Sequence, residues 1–252
     1  MNTPRPLVSC LCVTHERTHY LESAVRCFRN QTYENKELVI VHLESDEQTA
    51  EYGTTLTDDN IRVIAVDDYE HETLGDVRNR SINEARGDYV CNWDDDDWYH
   101  NERIETQLSA ILNSGKSASI LLYLLMYDHQ RKLAYITHRR DWENSYMCKK
   151  SSLKELDIFY PSLDKREDSP FMEKLKEANL IFPIVKPQLY VYSYTGRNTC
   201  GDYHFDSLFK YAHKLPEDQC ELLDAIMSSK LANGEATARL NDAQFLGTLN
   251  YN

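Results

Sequence analysis

No two cysteines of this chain stand in a CxxC arrangement, and the seven present are an odd number. A disulfide framework or a structural zinc site is therefore not expected, and the thiols read as reduced, as in a cytosolic protein. Long apolar runs are also missing. The longest, Ile120–Tyr127 (ILLYLLMY), falls far short of the roughly 20 residues that span a bilayer. The opening MNTPRPLVSCLCV lacks the apolar length and cleavage site of a secretory leader. Positive charge is scarce, with 28 Lys and Arg against 41 Asp and Glu, a net charge of −13. That balance argues against tracking a nucleic-acid backbone, while a local basic pocket for a phosphorylated ligand stays compatible with it. No internal repeat or low-complexity linker is present. The chain reads as soluble and cytoplasmic, any membrane contact being peripheral.

What is present points to one packed unit. With 252 residues, 41% hydrophobic and 11% aromatic, the chain has material for one large domain, or one domain with an appended piece. Leu7–Val13, Glu37–Leu43, Ile61–Val66 and Asp88–Trp93 read as strands, and Cys10 and Cys12 share one buried strand face. ELVIVHL (37–43) is continuously apolar rather than alternating, as expected when both faces of a sheet are covered. Between the strands, Leu21, Ala24, Val25 and Phe28 keep helical spacing. Thr73 and Asp76 have the form of a capping box, opening a helix with Leu74, Val77, Ser81 and Ala85 on one side. Ile104, Leu108, Ile111 and Leu112 form a further helical face. Strand alternating with helix predicts a mostly parallel α/β sheet with helices on both faces. In such sheets ligands bind at the carboxyl ends of the strands. Thr14-His-Glu-Arg17, the turn after Leu43 and the aspartates 94–97 all fall at those ends.

The second half reads differently. Ser119–Tyr127 and Lys132–His138 are expected to form a hairpin. A helix should start at Ser169-Pro170, burying Phe171, Leu175 and Ala178. Ile184–Tyr194 reads as a strand interrupted at Pro187, with Tyr190, Tyr192 and Tyr194 on one face. Beyond Gly201 the chain is expected to be helical. One helix covers Pro216–Leu231, with Leu222, Leu223, Ile226, Met227 and Leu231 apolar, and Asn233-Gly234 ends it.

The stretch NWDDDDWYH (92–100) carries the chemistry. Carboxylates packed this closely stay ionised only beside compensating positive charge. A hard divalent cation, shared with the oxygens of a bound diphosphate, is the natural partner. A solvated acidic loop is the bland alternative. A calcium loop would use Asp94, Asp96 and Glu105, but Trp98 and Tyr99 stand where a ligand and a glycine belong.

Taken together, LVSCLCVTHER, Gln31-Thr-Tyr33, ELVIV and GDVRNRSINEARGDYVCNWDDDDWYHNER resemble the inverting glycosyltransferases of family two. The resemblance covers about residues 5–200 and rests on the joint order of several motifs. It implies a GT-A (Rossmann-like) fold: a domain over 1–200, with a nucleotide-binding half (1–115) and an acceptor half (116–200), and a helical C-terminal extension over 201–252. It implies a nucleotide-diphosphate sugar donor, Mn2+ or Mg2+, and a saccharide or lipid-linked hydroxyl acceptor in surface polysaccharide or glycolipid synthesis. Asp96 and Asp94 would hold the metal. Thr14, Glu16, Arg17, Glu44, Arg78, Asp94 and Asp95 would meet the nucleotide sugar. Asp168, in Lys165-Arg-Glu-Asp168, would be the base, with Glu167 as the reserve candidate and an aid to positioning. Asp97 is expected to cap the following helix, and Trp98 and Tyr99 to line the sugar pocket. Self-association is compatible with all of this.

The chain also departs from that pattern. His42 and Leu43 replace a pair of aspartates at the end of the second strand, leaving Glu44 to compensate. Glu16 stands where an Asn is common, to bind the base or pair with Arg17. The usual late metal-binding His is absent from Tyr194-Thr-Gly-Arg197; Arg197 and His204 are the nearby substitutes. These departures keep open a nucleotide-binding scaffold without activity. A nucleotidyltransferase fits less well, because THER is not a basic, glycine-rich phosphate loop.

Overall fold

The computed structural model describes residues 5–67 and 72–245. Its first half alternates strand and helix, and includes one helix, α2, that the sequence reading did not place: β1 (Val8–Val13), α1 (Thr18–Arg29), β2 (Lys36–Leu43), α2 (Glu47–Thr54), β3 (Ile61–Val66), α3 (Leu74–Glu84), β4 (Tyr89–Asn92). There follow β5 (Trp98–Tyr99), α4 (Arg103–Ser114), β6 (Ala118–Leu121), β7 (Leu125–Asp128), β8 (Leu133–Ile136) and β9 (Met147–Lys149). The remainder is α5 (Lys150–Glu155), α6 (Asp168–Glu177), β10 (Ile181–Ile184), β11 (Tyr190–Tyr194), α7 (Asp202–Tyr211), β12 (His213–Lys214), α8 (Glu217–Met227) and α9 (Asn233–Asp242).

A seven-stranded sheet runs β10-β6-β9-β4-β1-β2-β3. It is parallel except at β9, which pairs antiparallel with β4 and β6. The β1–β2 register runs from Val8 opposite Lys36 to Val13 opposite Val41. Side chains alternate across a strand, so Cys10 and Cys12 enter one apolar cluster and Leu11 the other. Both faces are therefore covered, which explains the continuous apolar runs. α1 buries Leu21, Ala24, Val25 and Phe28, and the Thr73–Asp76 capping box opens α3.

A second sheet, β12-β8-β7-β11-β5, carries several departures from the sequence reading. The run 119–127 is two strands, β6 and β7, which belong to different sheets. Every residue of it is buried, so it shows no period that would mark the crossing point. The expected hairpin survives as β7–β8, with Asp128 Oδ1 accepting from the amides of Gln130 (2.9 Å) and Arg131 (3.0 Å). Residues 184–194 likewise divide between the two sheets, at a 3-10 turn over Pro187–Leu189. Leu112 is 55% exposed and Ala178 is exposed, with Met172 buried in α6 instead. Asn233-Gly234 opens α9 rather than ending a helix. α8 stops at Met227, and Ser229 turns the chain at φ 57°.

The segment after Gly201 is mostly helical but not peripheral. β12 pairs with β8, and Phe205, Leu223 and Leu240 are fully buried in the same cluster as Cys10. Among the described residues no helix is long and apolar enough to cross a membrane.

Asp46 caps α2 and also fixes the first loop. It is 1% exposed and accepts from the Thr49 amide (3.0 Å), the Thr49 hydroxyl (2.7 Å) and the Glu16 amide (2.6 Å). Burial pushes its carboxyl up, but these donors outweigh that and hold it below the usual carboxylate range. Asp46→Ala should cost about 0.5–2 kcal/mol in urea unfolding at pH 7. Because the folded state binds this proton more weakly, the stabilisation is present above pH 3.8 and fades as pH falls through the depressed folded value. The difference between wild type and variant should therefore vanish in acid.

Candidate active site

The site forms where β1, β2 and β4 end. β1 leads into Thr14, whose amide bonds Val41 O at 3.0 Å. Glu16 then adopts φ 51°, with its amide fixed by Asp46. Arg17, which follows, reaches the aspartates: its Nη1 lies 3.2 Å from Asp95 Oδ1, and its Nη2 pairs with Asp96. Thr14 Oγ1 donates to Asp95 Oδ2 at 2.6 Å. Asn198 Nδ2, beyond β11, donates to Asp96 Oδ2 at 3.0 Å. Thr14 thus positions Asp95 from below.

A second arginine holds the other end of the run. Arg78, on α3, donates from Nε to Glu167 Oε1 (2.9 Å), from Nη1 to Asn92 Oδ1 (2.6 Å) and from Nη2 to Asp94 Oδ1 (3.3 Å). Asn92 Nδ2 in turn donates to Asp94 Oδ2 at 2.7 Å. Glu167 is buried and Asp168, the first residue of α6, is partly exposed. A cavity of about 620 Å³ brings Arg17, Arg78, Asp94, Asp95, Asp96, Glu167 and Asp168 together. Glu16 and Glu44 are exposed and do not line it. Trp142, Tyr192 and His204 form part of the opposite wall.

The run is not a solvated loop, since Asp95 and Asp97 are each 2% exposed. Burial, aided by Asp96 and opposed by Arg17 and Thr14, pushes Asp95 up to about 7. Burial also raises Asp96 against the pull of Arg17. Glu167 is raised by burial, with Arg78 opposing. Both arginines therefore compensate carboxylates that desolvation would otherwise neutralise.

Four expectations change here. Asp97 does not cap α4: buried under the run, it accepts from the Tyr190 hydroxyl and from the Ser193 amide (2.8 Å). Burial, with Asp96 and Asp94 nearby, pushes its carboxyl well above the usual carboxylate range, and these two donors only partly oppose that. Trp98 and Tyr99 do not line the cavity. They form β5, 3% and 0% exposed, where Tyr99 packs on Trp93 and Tyr190. Apolar ring area is better buried than left at a wet mouth. Glu16 does not pair with Arg17, which is engaged by Asp95 and Asp96. Arg197 is exposed, and Asn198 reaches the aspartates instead. The calcium reading also fails, because a strand rather than a helix precedes the run and Tyr99 lies in a strand.

Sequence reasoning missed Asn92, Asn198, Trp142 and Arg140. Asn92 carried a signal, as the last residue of a strand beside the run. Asn198 carried none, because its loop comes alongside only through the pairing of β11 with β5 and β7.

Among the described residues no group of three or more His, Cys, Asp or Glu is arranged to hold a metal ion. Asp94 and Asp96 do offer hard oxygen donors facing the cavity, a donor set suited to Mg2+ or Mn2+ rather than to softer ions.

Gly75 sets the distance between α3 and the loop that carries Glu167. A Cβ there would lie 1.9 Å from Pro161 O and 3.4 Å from Glu167 Cβ. Gly75→Ala must displace that backbone, at a cost of about 1–3 kcal/mol. Urea unfolding should show the loss, and any activity requiring Glu167 and Asp168 should fall with it.

A parallel-centred α/β sheet, with paired arginines and carboxylates at its strand ends, defines an α/β protein with a charged ligand crevice at the carboxyl edge of the sheet. The profile of glycosyl transferase family 2 matches residues 9–162, more than half of the chain, and the chain belongs to that family. It is 31% identical over 105 residues to a Bacillus subtilis (strain 168) protein provisionally named as the glycosyltransferase EpsH, covering 41% of this chain and 30% of that one. It is 29% identical over 149 residues to an Escherichia coli (strain K12) protein provisionally named as the colanic acid biosynthesis glycosyl transferase WcaA, covering 57% and 44%. The chain thus spans less than half the length of these relatives. Among solved structures, S. aureus TarS 1–349 in complex with UDP-GlcNAc superposes with a TM-score of 0.64 at 17% identity, over 95% of this chain and 71% of that one. The mannosyltransferase PcManGT from Pyrobaculum calidifontis, in complex with GDP-Man and Mn2+, gives 0.58 at 16% identity, over 95% and 74%. At these identities the likeness bears on the fold, which is GT-A.

Proposed function

We propose that this chain transfers a sugar, with inversion, from a nucleoside diphosphate donor to a hydroxyl acceptor in polysaccharide or glycolipid synthesis. One observation carries the reading: Asp168 shares a cavity with two arginine–carboxylate clusters at the ends of β1 and β4. Family membership supports it, as do relatives whose names place them in teichuronic and colanic acid biosynthesis.

In this reading residues 1–115 hold the donor and residues 116–200 the acceptor, while β12 of the 201–252 extension adds an edge to the second sheet. Arg17 and Arg78 face the diphosphate, Asp94 and Asp95 orient the sugar and ribose, and Thr14 holds Asp95 in place. Glu16 and Glu44 lie at the outer edge, toward the base. Asp96 and Asp94 would hold Mg2+ or Mn2+, which when bound supplies positive charge to the leaving diphosphate. Asp168 takes the proton of the attacking hydroxyl. It stands in the first turn of α6, on the lining of the cavity and partly exposed, where an acceptor hydroxyl can reach it. Glu167 stays fixed to Arg78 and positions the loop. The work is done at or near the cytoplasmic face of a membrane where lipid-linked acceptors are made, by a monomer or a self-associated form.

A second reading, a nucleotide-binding scaffold, is favoured by one feature. His42 is buried and turned onto Leu43 O (2.8 Å) at the strand end where aspartates are common in the family. Calorimetry with UDP, GDP, dTDP and CDP, each with and without Mn2+, separates the two. Micromolar binding of one nucleotide that requires metal, and its loss in Asp96→Ala, supports the transferase; no binding under any condition favours the scaffold.

A further inference from the structure

The charges in the cavity do not cancel evenly. Arg17 is held by Asp95 and Asp96, Arg78 by Asp94 and Glu167, and Arg140 by Glu143. Lys165 and Arg166 also line the cavity, are exposed, and make no ion pair among the described residues. They immediately precede Glu167 and Asp168. Arg166 is held at φ 61°, a left-handed conformation that costs a non-glycine side chain about 1–3 kcal/mol and tends to persist at functional sites. Arg140, from the segment after β8, and Arg166, from the loop before α6, line the same cavity as His204 of α7. Two segments therefore bring arginine to the cavity of a protein whose net charge is −13, and Lys165 and Arg166 are the ones without an acidic partner among the described residues. On an otherwise acidic surface such a patch selects and steers an anion.

Which anion follows from position. The diphosphate end of the donor faces Arg17 and Arg78, beside the aspartates. Lys165 and Arg166 stand on the side of Asp168, the group that meets the acceptor hydroxyl. We propose that the acceptor is anionic, carrying a phosphodiester or carboxylate near the attacking hydroxyl, and that Lys165 and Arg166 bind that group. This rests on the transferase reading for the role of the site. A neutral sugar would draw no electrostatic gain from these cations, whereas an anionic group beside the hydroxyl would. Arg140, paired with Glu143 and stacked over the buried Trp142 at 4.6 Å, is held in place on the cavity lining.

Direct binding to the full chain tests this without a donor. The probes are short oligomers of glycerol phosphate, of galacturonic acid and of neutral glucose, matched in length and titrated into wild type and into Lys165→Ala/Arg166→Gln. Both substituted positions are exposed, and Arg166→Gly serves as a second variant that relaxes the backbone. At least one anionic oligomer should bind, more weakly as salt rises, while the neutral one does not. The double variant should weaken that binding at least about tenfold, the scale of two lost charge-assisted contacts. Arg166→Gly should weaken it less. Which anionic oligomer binds distinguishes phosphodiester from carboxylate. Equal binding of the neutral oligomer, no binding of either anionic one, or binding unchanged in the double variant overturns the proposal. So does a tenfold loss of nucleotide binding in that variant with oligomer binding intact, which would assign these cations to the donor. Nucleotide calorimetry on wild type reports separately on the transferase reading, so the two failures are distinguishable.

Discussion

Asp168→Asn is expected to lower sugar transfer by about 10²–10⁴-fold, the usual contribution of a positioned general base. Donor affinity should stay within about twofold, because none of the ion pairs of the aspartate run involves Asp168. The substitution keeps the shape of the side chain and its place in the first turn of α6, so folding should be preserved. Single-turnover transfer and nucleotide calorimetry on the same preparation check the two halves. If transfer persists at the wild-type rate, the base is another group. Glu167 is a poor substitute, because it is buried and its Oε1 is engaged by Arg78 at 2.9 Å. A loss of donor binding equal to the loss of transfer would instead make Asp168 part of the donor site.

Arg78→Met should have the largest effect on stability. The guanidinium bonds Glu167, Asn92 and Asp94 at once, with its side chain 16% exposed and that of Glu167 6%. Removing one partner of such a pair leaves a buried charge uncompensated, at a cost of about 3–5 kcal/mol. Urea unfolding should show this as a lower midpoint with unchanged slope. The same variant should lose nucleotide binding, since Asp94 would no longer be fixed. Adding Glu167→Gln removes one of the stranded charges, so the double variant should recover part of the lost stability. Additive losses in the cycle would mean that the two side chains do not interact.

Most of the strands and helices of residues 7–112 were legible in the sequence for a plain reason, α2 and β5 excepted. Each of those elements is continuous in the chain, so local period and capping report its type and limits directly, although β4 returns past β3 and β2 to pair with β1. Thr73 and Asp76 illustrate this: the motif alone placed the start of α3. The crossing points between the two sheets were not legible. Leu121 and Leu125 lie four residues apart in a fully buried run, yet enter different sheets. Burial on all sides erases the periodicity that would have marked the break.

The site divides in the same way. By itself the sequence determined which residue types gather at the strand ends, because strand polarity brings Thr14, Arg17 and residues 94–97 to one edge of a parallel sheet. Only the tertiary structure decided what each one does there. It turned Asp97 inward to Tyr190 and Ser193, and set Arg17 and Arg78 on the remaining carboxylates. It also brought Asn198 to Asp96 across 102 residues of chain. Four adjacent aspartates look alike in sequence, and their differences come from partners supplied by distant segments. Desolvation and pairing act through space, so no local pattern records them.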